Sequence, residues 1–452
     1  MIKAVNIREL VLDLLLNTMK PDANGCCTVS GVLEKYQYLG KQERAFLTRL
    51  FEGTLENLIQ IDDILNRFSK VPVRKMKPVI LGILRMGVYQ IRFMDAVPDA
   101  AACNEAVRLA KKKGFHNLSG FVNGVLRQVS RNKDQISRIY ADKESFLASQ
   151  PGTDGKDATD VRYLSVRYSI PEWMAQMWKE ELGAEAMERM LEALSQPAPV
   201  TIRVNTCLCT KEELTRRLEA EGVTVQCVQE VPDALKITGY DHIAALSAFE
   251  EGLFYVQDVS SMLAAQAAAP KENDFVIDVC AAPGGKAIHT ALLLGGSGRV
   301  LARDLTQRKA SLLLENKNRC RITNMQVQVW DATIPDPSLF GKADLVIADL
   351  PCSGLGVLRR KKEIRYHMTP EKIKELAGVQ RKILAVVQQY VKPGGRLVYS
   401  TCTVSRMENK DNVQWFLRSF GDFELLLERQ ILPEAGGGDG FYIAEFVKKP
   451  DI

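Results

Sequence analysis

Apolar residues recur at helical spacing through the first third of the chain. In "QERAFLTRLFEGTLENLIQIDDILNRF" they fall at Phe46, Leu50, Leu55, Leu58, Ile61, Ile64, Leu65 and Phe68, a stripe that faces a core. Upstream, "MIKAVNIRELVLDLLLNTMK" sets Val5, Leu10, Val11, Leu14 and Leu15 on one helical face. Charges lie inside that apolar stretch and no cleavage site follows, which argues against a signal peptide. "KPVILGILRMGVYQIRFM", "VPDAAACNEAVRLAKKKG" and "LSGFVNGVLRQVSRN" continue the pattern. Asp99, behind Pro98, suits the positive end of a helix dipole. The run Lys111 to Lys113 closes that helix, most simply as a solvated last turn, with phosphate contact as the sharper alternative. Residues 1–145 therefore predict an all-helical domain.

The pattern then changes twice. "PGTDGKDATD", residues 151–160, has no large apolar side chain and marks a linker over 146–160. From 161 to 250 a short amphipathic helix opened by Pro171 precedes "PVTIRVNT", which alternates like a strand. A helix from Thr210 to Gly222 and two more alternating runs, "VTVQCVQ" and "ALKIT", complete a small α+β module. Beyond about 250 the runs "DFVIDVC", "RVLARD", "MQVQVWD", "ADLVIAD" and "GGRLVYSTC" are short and nearly continuously apolar, with helical stretches between most of them. Strands of that kind are buried on both faces, so 251–452 predicts an α/β domain, a doubly wound, Rossmann-like parallel sheet, with "GFYIAEFVKK" as a late strand.

Composition narrows the chemistry. The chain has 452 residues, 46% hydrophobic and 25% charged, with a formal charge of +5. This is an ordinary globular balance, mildly basic, and compatible with nucleic acid through local patches. Ten cysteines, at 26, 27, 103, 207, 209, 227, 280, 320, 352 and 402, show no zinc spacing, and the histidines at 116, 242, 289 and 367 stand alone. Neither a metal site nor a disulfide framework is expected, and scattered thiols point to a reducing cytosol. With no run of 18 apolar residues, no membrane span is expected.

Ligands of open α/β sheets bind beyond the carboxyl ends of the strands. After the first strand comes "DVCAAPGGKAIH", where Gly284 and Gly285 let backbone approach a ligand ahead of a helix N-terminus. It is not a G-x-G-x-x-G loop. Asp304 ends the second strand, twenty residues beyond Gly284; Asp331 ends the third and Asp349 the fourth. Each could cap a following helix. Together they describe a carboxylate-lined crevice, suited to a cationic, ribose-bearing cofactor such as S-adenosylmethionine rather than a pyrophosphate dinucleotide. At the mouth of the same crevice stand two cysteines, Cys352 in "ADLPCSG" and Cys402 in "YSTCT". C5 of cytosine accepts a methyl group once a thiolate has added at C6, and an acid holding the N3/N4 edge eases that addition. Spacing alone leaves open which thiol attacks. A lone strand-end cysteine is more often a small buried hydrophobe, the reading given to Cys207, Cys209, Cys280 and Cys320.

"VCAAPGGKA", "ADLPCSGLGVLRRKKEIR" and "GGRLVYSTCTV" together resemble the Sun-type RNA cytosine-5 methyltransferases, and "YVQDVSSM", Tyr255 to Met262, resembles the segment before their cofactor strand. "ILRMGVYQI", "VPDAAACNEAVRLAKKKG" and "FVNGVLRQV" are similar to the antitermination factor NusB. A NusB-like domain fused to such a catalytic domain is the arrangement of the 16S rRNA methyltransferase B group. The resemblance covers nearly the whole chain; "LARD" departs locally from the usual second-strand ending but keeps its acid. It implies methylation at C5 of one cytosine in 16S rRNA or a small-subunit precursor, by a cytoplasmic monomer. It implies Cys402 as nucleophile, Cys352 as the thiol that helps resolve the adduct, and Asp349 on the cytosine edge. Lys286, at the edge of the site, could lower a thiol pKa. Cofactor contacts map onto Cys280, Ala281, Ala282, Pro283, Gly284, Gly285, Lys286, Asp304, Asp331 and Asp349. Candidate RNA contacts are Arg359, Arg360, Lys361, Lys362 and Arg365 after Cys352, with Arg203 and Asn205 in the RRM-like small module. A DNA cytosine methyltransferase and a non-catalytic RNA-binding factor are the alternatives.

Overall fold

A computed structural model describes residues 6–20, 39–149 and 158–450. Cys26, Cys27, Val5 and most of the expected linker lie outside the described residues. Chain contacts divide the protein into two compact units, residues 1–191 with Arg365–His367, and 192–364 with 368–452.

The first unit is helical. Its helices run Ile7–Thr18, Lys41–Glu56, Leu58–Phe68, Pro78–Phe93, Asp99–Lys112 and Ser119–Arg131, followed by shorter ones. The long apolar stripe is carried by two helices that meet at Asn57, whose backbone (φ −108°, ψ 16°) leaves the helical range. Leu50, Leu55, Ile61, Ile64 and Leu65 are buried against Val11, Leu84, Leu126 and Val129 in one core. Lys112 and Lys113 pair with Glu9, and Lys113 also with Asp13, so this end of the basic run serves the domain's own surface. The helix Glu172–Leu182, expected at the head of the small module, groups with this helical unit instead, as does Ala158–Tyr168, a helix the sequence reading did not expect.

The second unit holds two sheets. In the small one, β1 (Val200–Val204) is flanked by β3 (Ala234–Thr238) and β4 (Phe254–Val256), with β2 (Thr224–Cys227) beyond β3, all antiparallel. The Thr210 side chain caps its helix through the N–H of Glu213, as the sequence pattern requires. The expected module end at 250 falls short, because β4 completes this sheet. The large sheet has strands β5 (Phe275–Asp278), β6 (Arg299–Asp304), β7 (Met325–Val329), β8 (Ala343–Asp349), β9 (Val391–Thr401), β10 (Phe423–Ile431) and β11 (Phe441–Lys448). Their order is β10-β11-β9-β8-β5-β6-β7. The five strands from β5 to β9 are parallel, as expected, while β11 runs antiparallel to β9 and to β10, so the sheet is mixed. Chain order reverses between β5 and β8, which puts the ligand crevice beyond their carboxyl ends.

Arg203 and Asn205, read from sequence as RNA contacts, are interior. Arg203 is 3% exposed and donates to the carbonyl of Pro232; Asn205 is 0% exposed, and its Nδ2 donates to the carbonyls of Gly252 and Cys320 at 2.9 Å each. Asn205 thus ties the end of β1 to the segment before β4 and to the end of the helix Gln307–Arg319 between β6 and β7. Replacing it by Ala leaves both carbonyls without that donor, at a cost of about 1–3 kcal/mol. Asn205→Ala is expected to lower the thermal midpoint while leaving the RNA affinity of the folded protein unchanged, measured by calorimetry and filter binding.

Candidate active site

The loop after β5 turns back into the helix Gly285–Leu293. Gly284 has φ +116°, a conformation that disfavours a side chain, and a Cβ there would also press on Leu313. The N–H of Ala282 donates to Asp304 Oδ2, and the N–H of Ala281 to the carbonyl of Arg303, so the loop is fastened to the end of β6. A cleft of about 180 Å³ opens here, lined by Cys280, Ala281, Ala282, Pro283, Gly285, Lys286, Asp278 and Asp349 from the large sheet and by Val256, Gln257, Asp258 and Ser261. Asp331 lies outside that lining; its Oδ1 caps its own turn through the N–H and hydroxyl of Thr333. Asp304 is 2% exposed and also pairs with Lys309.

Asp278 carries a signal that sequence reading passed over. It is fully buried, and neither carboxylate oxygen has a hydrogen-bond partner. Burial, reinforced by the charge of Asp349, pushes its carboxyl up to about 8, with Lys286 opposing. An unpartnered acid beside two further carboxylates fits a cationic ligand, and so fits S-adenosylmethionine, on the chemistry of its donor set. The sequence offered one clue, a strand-end acid directly before the glycine loop.

Parallel pairing of β8 with β9 builds the rest. Asp349 lies opposite Ser400, whose hydroxyl donates to Asp349 Oδ1 at 2.8 Å, and the Leu350 N–H donates to the Ser400 carbonyl. Lys286 is not at the edge of the site as expected; it is buried, pairs with Asp349 Oδ2 at 2.7 Å and lies 4.8 Å from the centre of the Phe441 ring. Cys352 and Cys402, a few residues past the same two strand ends, bring their Sγ atoms to 3.2 Å. The hydrogen bond from Cys352 draws the Cys402 thiol below its ordinary value; Lys286 and Lys361 add to this, and burial and Asp349 oppose it. The same bond, together with burial and the charge of Glu408, raises Cys352. The pair is therefore asymmetric, with a thiolate favoured at Cys402 and a proton at Cys352. A partly accessible sulfur anion next to a carboxylate-lined cleft can act as a nucleophile.

The basic loop after Cys352 is more structural than its sequence suggests. Arg359 is 5% exposed and donates to the carbonyls of Glu434, Gly437 and Gly438 and to Asp439. Arg360 pairs with Asp439 and Asp258 and donates to the Pro199 carbonyl. Arg365 is 2% exposed and donates to the carbonyls of Glu56 and Tyr168 within the helical unit. The expectation that Arg359 and Arg365 reach phosphate is corrected, since their buried guanidinium groups are held where main-chain carbonyls and carboxylates satisfy them; Arg360 is exposed but engaged by two carboxylates. Lys361 is exposed and Lys362 half-buried. At Gly356 a Cβ would stand 2.0 Å from the Gly440 carbonyl oxygen and 2.9 Å from that of Cys402, so only glycine lets these loops meet.

Comparison with known proteins fits this architecture. A family model described as 16S rRNA methyltransferase RsmB/F matches residues 265–447, a NusB family model matches 5–131, and a ferredoxin-like domain model of RsmF/B methyltransferases matches 170–243. A probable ribosomal RNA small subunit methyltransferase B of Bacillus subtilis is 35% identical, covering 99% of this chain and 100% of its own. The chain belongs to the RsmB/F family of 16S rRNA methyltransferases. It is, with that family, an S-adenosylmethionine-dependent rRNA methyltransferase. The crystal structure of PH0851 shares the fold, with a TM-score of 0.79 at 24% identity over 98% of this chain and 99% of that one. A methyltransferase homolog from Pyrococcus horikoshii, 27% identical, has a TM-score of 0.56 over 64% of this chain and 98% of its own. Among the described residues no helix is long and apolar enough to cross a membrane.

The raised Asp278 carboxyl gives the folded state a pH dependence. A carboxyl whose folded pKa lies above its unfolded value of about 3.9 favours folding fully at low pH and loses that contribution as pH rises through about 8. The thermal midpoint of the protein without cofactor is expected to fall between about pH 4 and pH 8 through this group and to level off above, and Asp278→Asn to flatten that fall. Equal slopes in the two proteins would contradict the assignment.

Proposed function

We propose that the protein methylates C5 of a cytosine in 16S rRNA through a covalent bond between Cys402 and C6 of the base. The observation that carries this reading is the thiol pair 3.2 Å apart, beside Asp349 and the cofactor cleft. Methylation of an exocyclic amine would leave two such thiols without a task. The relatives named as small-subunit rRNA methyltransferase B supply the substrate class.

Each residue then has a defined part. The Cys402 sulfur adds to C6 and leaves C5 as the nucleophilic end of an enamine. Asp349, fixed by Ser400 and Lys286, holds the N3/N4 edge. S-adenosylmethionine, when bound, supplies an electrophilic methyl group; the loop Cys280–Lys286 with Asp278, Asp304 and Asp331 would hold it. Once its own proton has passed to solvent, Cys352, which lies against Cys402, takes the C5 proton as the adduct breaks down and Cys402 leaves as a thiolate. The target base must be splayed from its stack or lie in a loop to reach the sulfurs. Lys361 and Lys362 are the phosphate contacts of this reading; the charge of Lys361 also bears on Cys402.

Cys402→Ala is expected to abolish methyl transfer to 16S rRNA from a labelled donor, with cofactor binding by calorimetry unchanged. Residual turnover in that variant would refute the nucleophile assignment. Cys352→Ala is expected to retain methyl transfer but accumulate a denaturant-resistant protein–RNA adduct on gels; normal turnover without adduct would remove its role in release. Lys361→Ala is expected to weaken RNA binding and reduce its salt slope by about one, measured by salt titration.

A further inference from the structure

A buried carboxylate beneath the two thiols has no part in the scheme so far. Glu408 is wholly buried. Its Oε1 accepts from the N–H of Ser353 at 2.8 Å and from Gln380 Nε2 at 3.0 Å, and its Oε2 accepts from the Ser353 hydroxyl at 2.5 Å. Ser353 follows Cys352 directly. Its Oγ also lies 2.7 Å from Thr403 Oγ1, and Thr403 follows Cys402 directly. Gln380 Nε2 further donates to the carbonyl of Pro351, the residue before Cys352. One carboxylate and one amide therefore grip the chain on both sides of Cys352 and just past Cys402.

Burying a carboxylate is costly, and burial pushes the Glu408 carboxyl up even against its donors. A helix start needing only a polar cap could use a serine or an asparagine at the surface. The Glu408 charge raises the Cys352 thiol, while Lys286 and Lys361 favour the Cys402 anion.

We propose that Glu408 is a positioning residue for the reaction: by fastening the residues next to both cysteines, it keeps the Cys352 sulfur within hydrogen-bond reach of Cys402 and so supplies the attacking sulfur with its donor. This deepens the function proposed above and rests on Cys402 being the attacking sulfur.

The test uses the full chain and reads alkylation of Cys402 by iodoacetamide, followed by peptide mass spectrometry from neutral to alkaline pH. Glu408→Ala and Ser353→Ala are expected to alkylate Cys402 about tenfold more slowly near neutral pH, the change in thiolate fraction for one pH unit of displacement. kcat for rRNA methylation falls with them while KM holds. Glu408→Gln keeps an oxygen for the Ser353 N–H and Gln380, and an amide that donates to Ser353 Oγ, so its profile stays closer to wild type than to the alanine variants, displaced only by loss of the charge beside Cys352. An unshifted Cys402 profile in Ser353→Ala and in any folded Glu408→Ala would overturn the proposal; if Glu408→Ala does not fold, Ser353→Ala decides alone. A Glu408→Gln profile shifted as far as that of the alanine variants would overturn it too, because its hydrogen bonds survive. Wild-type protein is also incubated with 5-fluorocytidine-containing rRNA, which cannot release its C5 substituent. Absence of a Cys402 adduct there would defeat the covalent reading, while a shifted alkylation profile would still locate Glu408 as the holder of the thiol pair.

Discussion

The pairing of two parallel strand ends, Asp349 against Ser400, is the constraint on which the site depends. Side chains alternate along a strand, so a slip of one residue would turn Asp349 away from the cleft and carry one cysteine out of register with the other. The register is fixed from both sides. The Ser400 hydroxyl is bonded to the Asp349 carboxylate, and the Ser400 carbonyl accepts the Leu350 N–H. From those anchors the chain needs only three residues to reach Cys352 and two to reach Cys402. Two sulfurs from loops fifty residues apart therefore meet without a loop long enough to wander.

Charge is the second constraint. Asp278 and Asp349 line one small cleft, and Asp304 fastens the loop beside it. Asp349 has Lys286, and Asp304 has Lys309 and the N–H of Ala282; Asp278 has no hydrogen-bond partner. Burial first, and then the charge of Asp349, fall on the member without a partner, which holds its proton to unusually high pH. A positively charged cofactor in the cleft would favour the ionised form of that carboxyl. The same neighbourhood tunes the sulfurs: Lys286 answers Asp349 at one end and favours the Cys402 anion at the other.

Much of this was legible in the chain. Helical periodicity gave the N-terminal unit, and "ADLVIAD" predicted β8 residue for residue. The sheet's antiparallel edge was not: β10, "FELLLERQI", sets leucines beside charges with no alternation, because an edge strand with a mostly exposed face has no buried pattern to display. Glu408 in "SRMENKDNV" reads as a polar loop, since nothing local reveals that Ser353 and Gln380 will enclose it. The same blindness misassigned the arginines. A sequence shows a charge but not its partner, and the partners of Arg359 are main-chain carbonyls some eighty positions away.

Those arginines change how RNA recognition must be understood here. With Arg203, Arg359 and Arg365 buried, the basic run after Cys352 offers solvent Lys361, a half-buried Lys362 and an Arg360 already paired with two carboxylates. Each phosphate contact contributes a modest, salt-sensitive share of binding, so a loop with two such lysines cannot by itself select one nucleotide of a ribosomal RNA. Its arginines do something else: they clamp the segment after one thiol to the Gly437–Asp439 turn and to Asp258 at the cofactor cleft. The loop that would meet the RNA backbone is thus rigidly continuous with the chemistry. On the function proposed above, selection would fall to the shape of the RNA that can present a splayed base to the two sulfurs, and to surfaces elsewhere on the chain, rather than to the charge beside them.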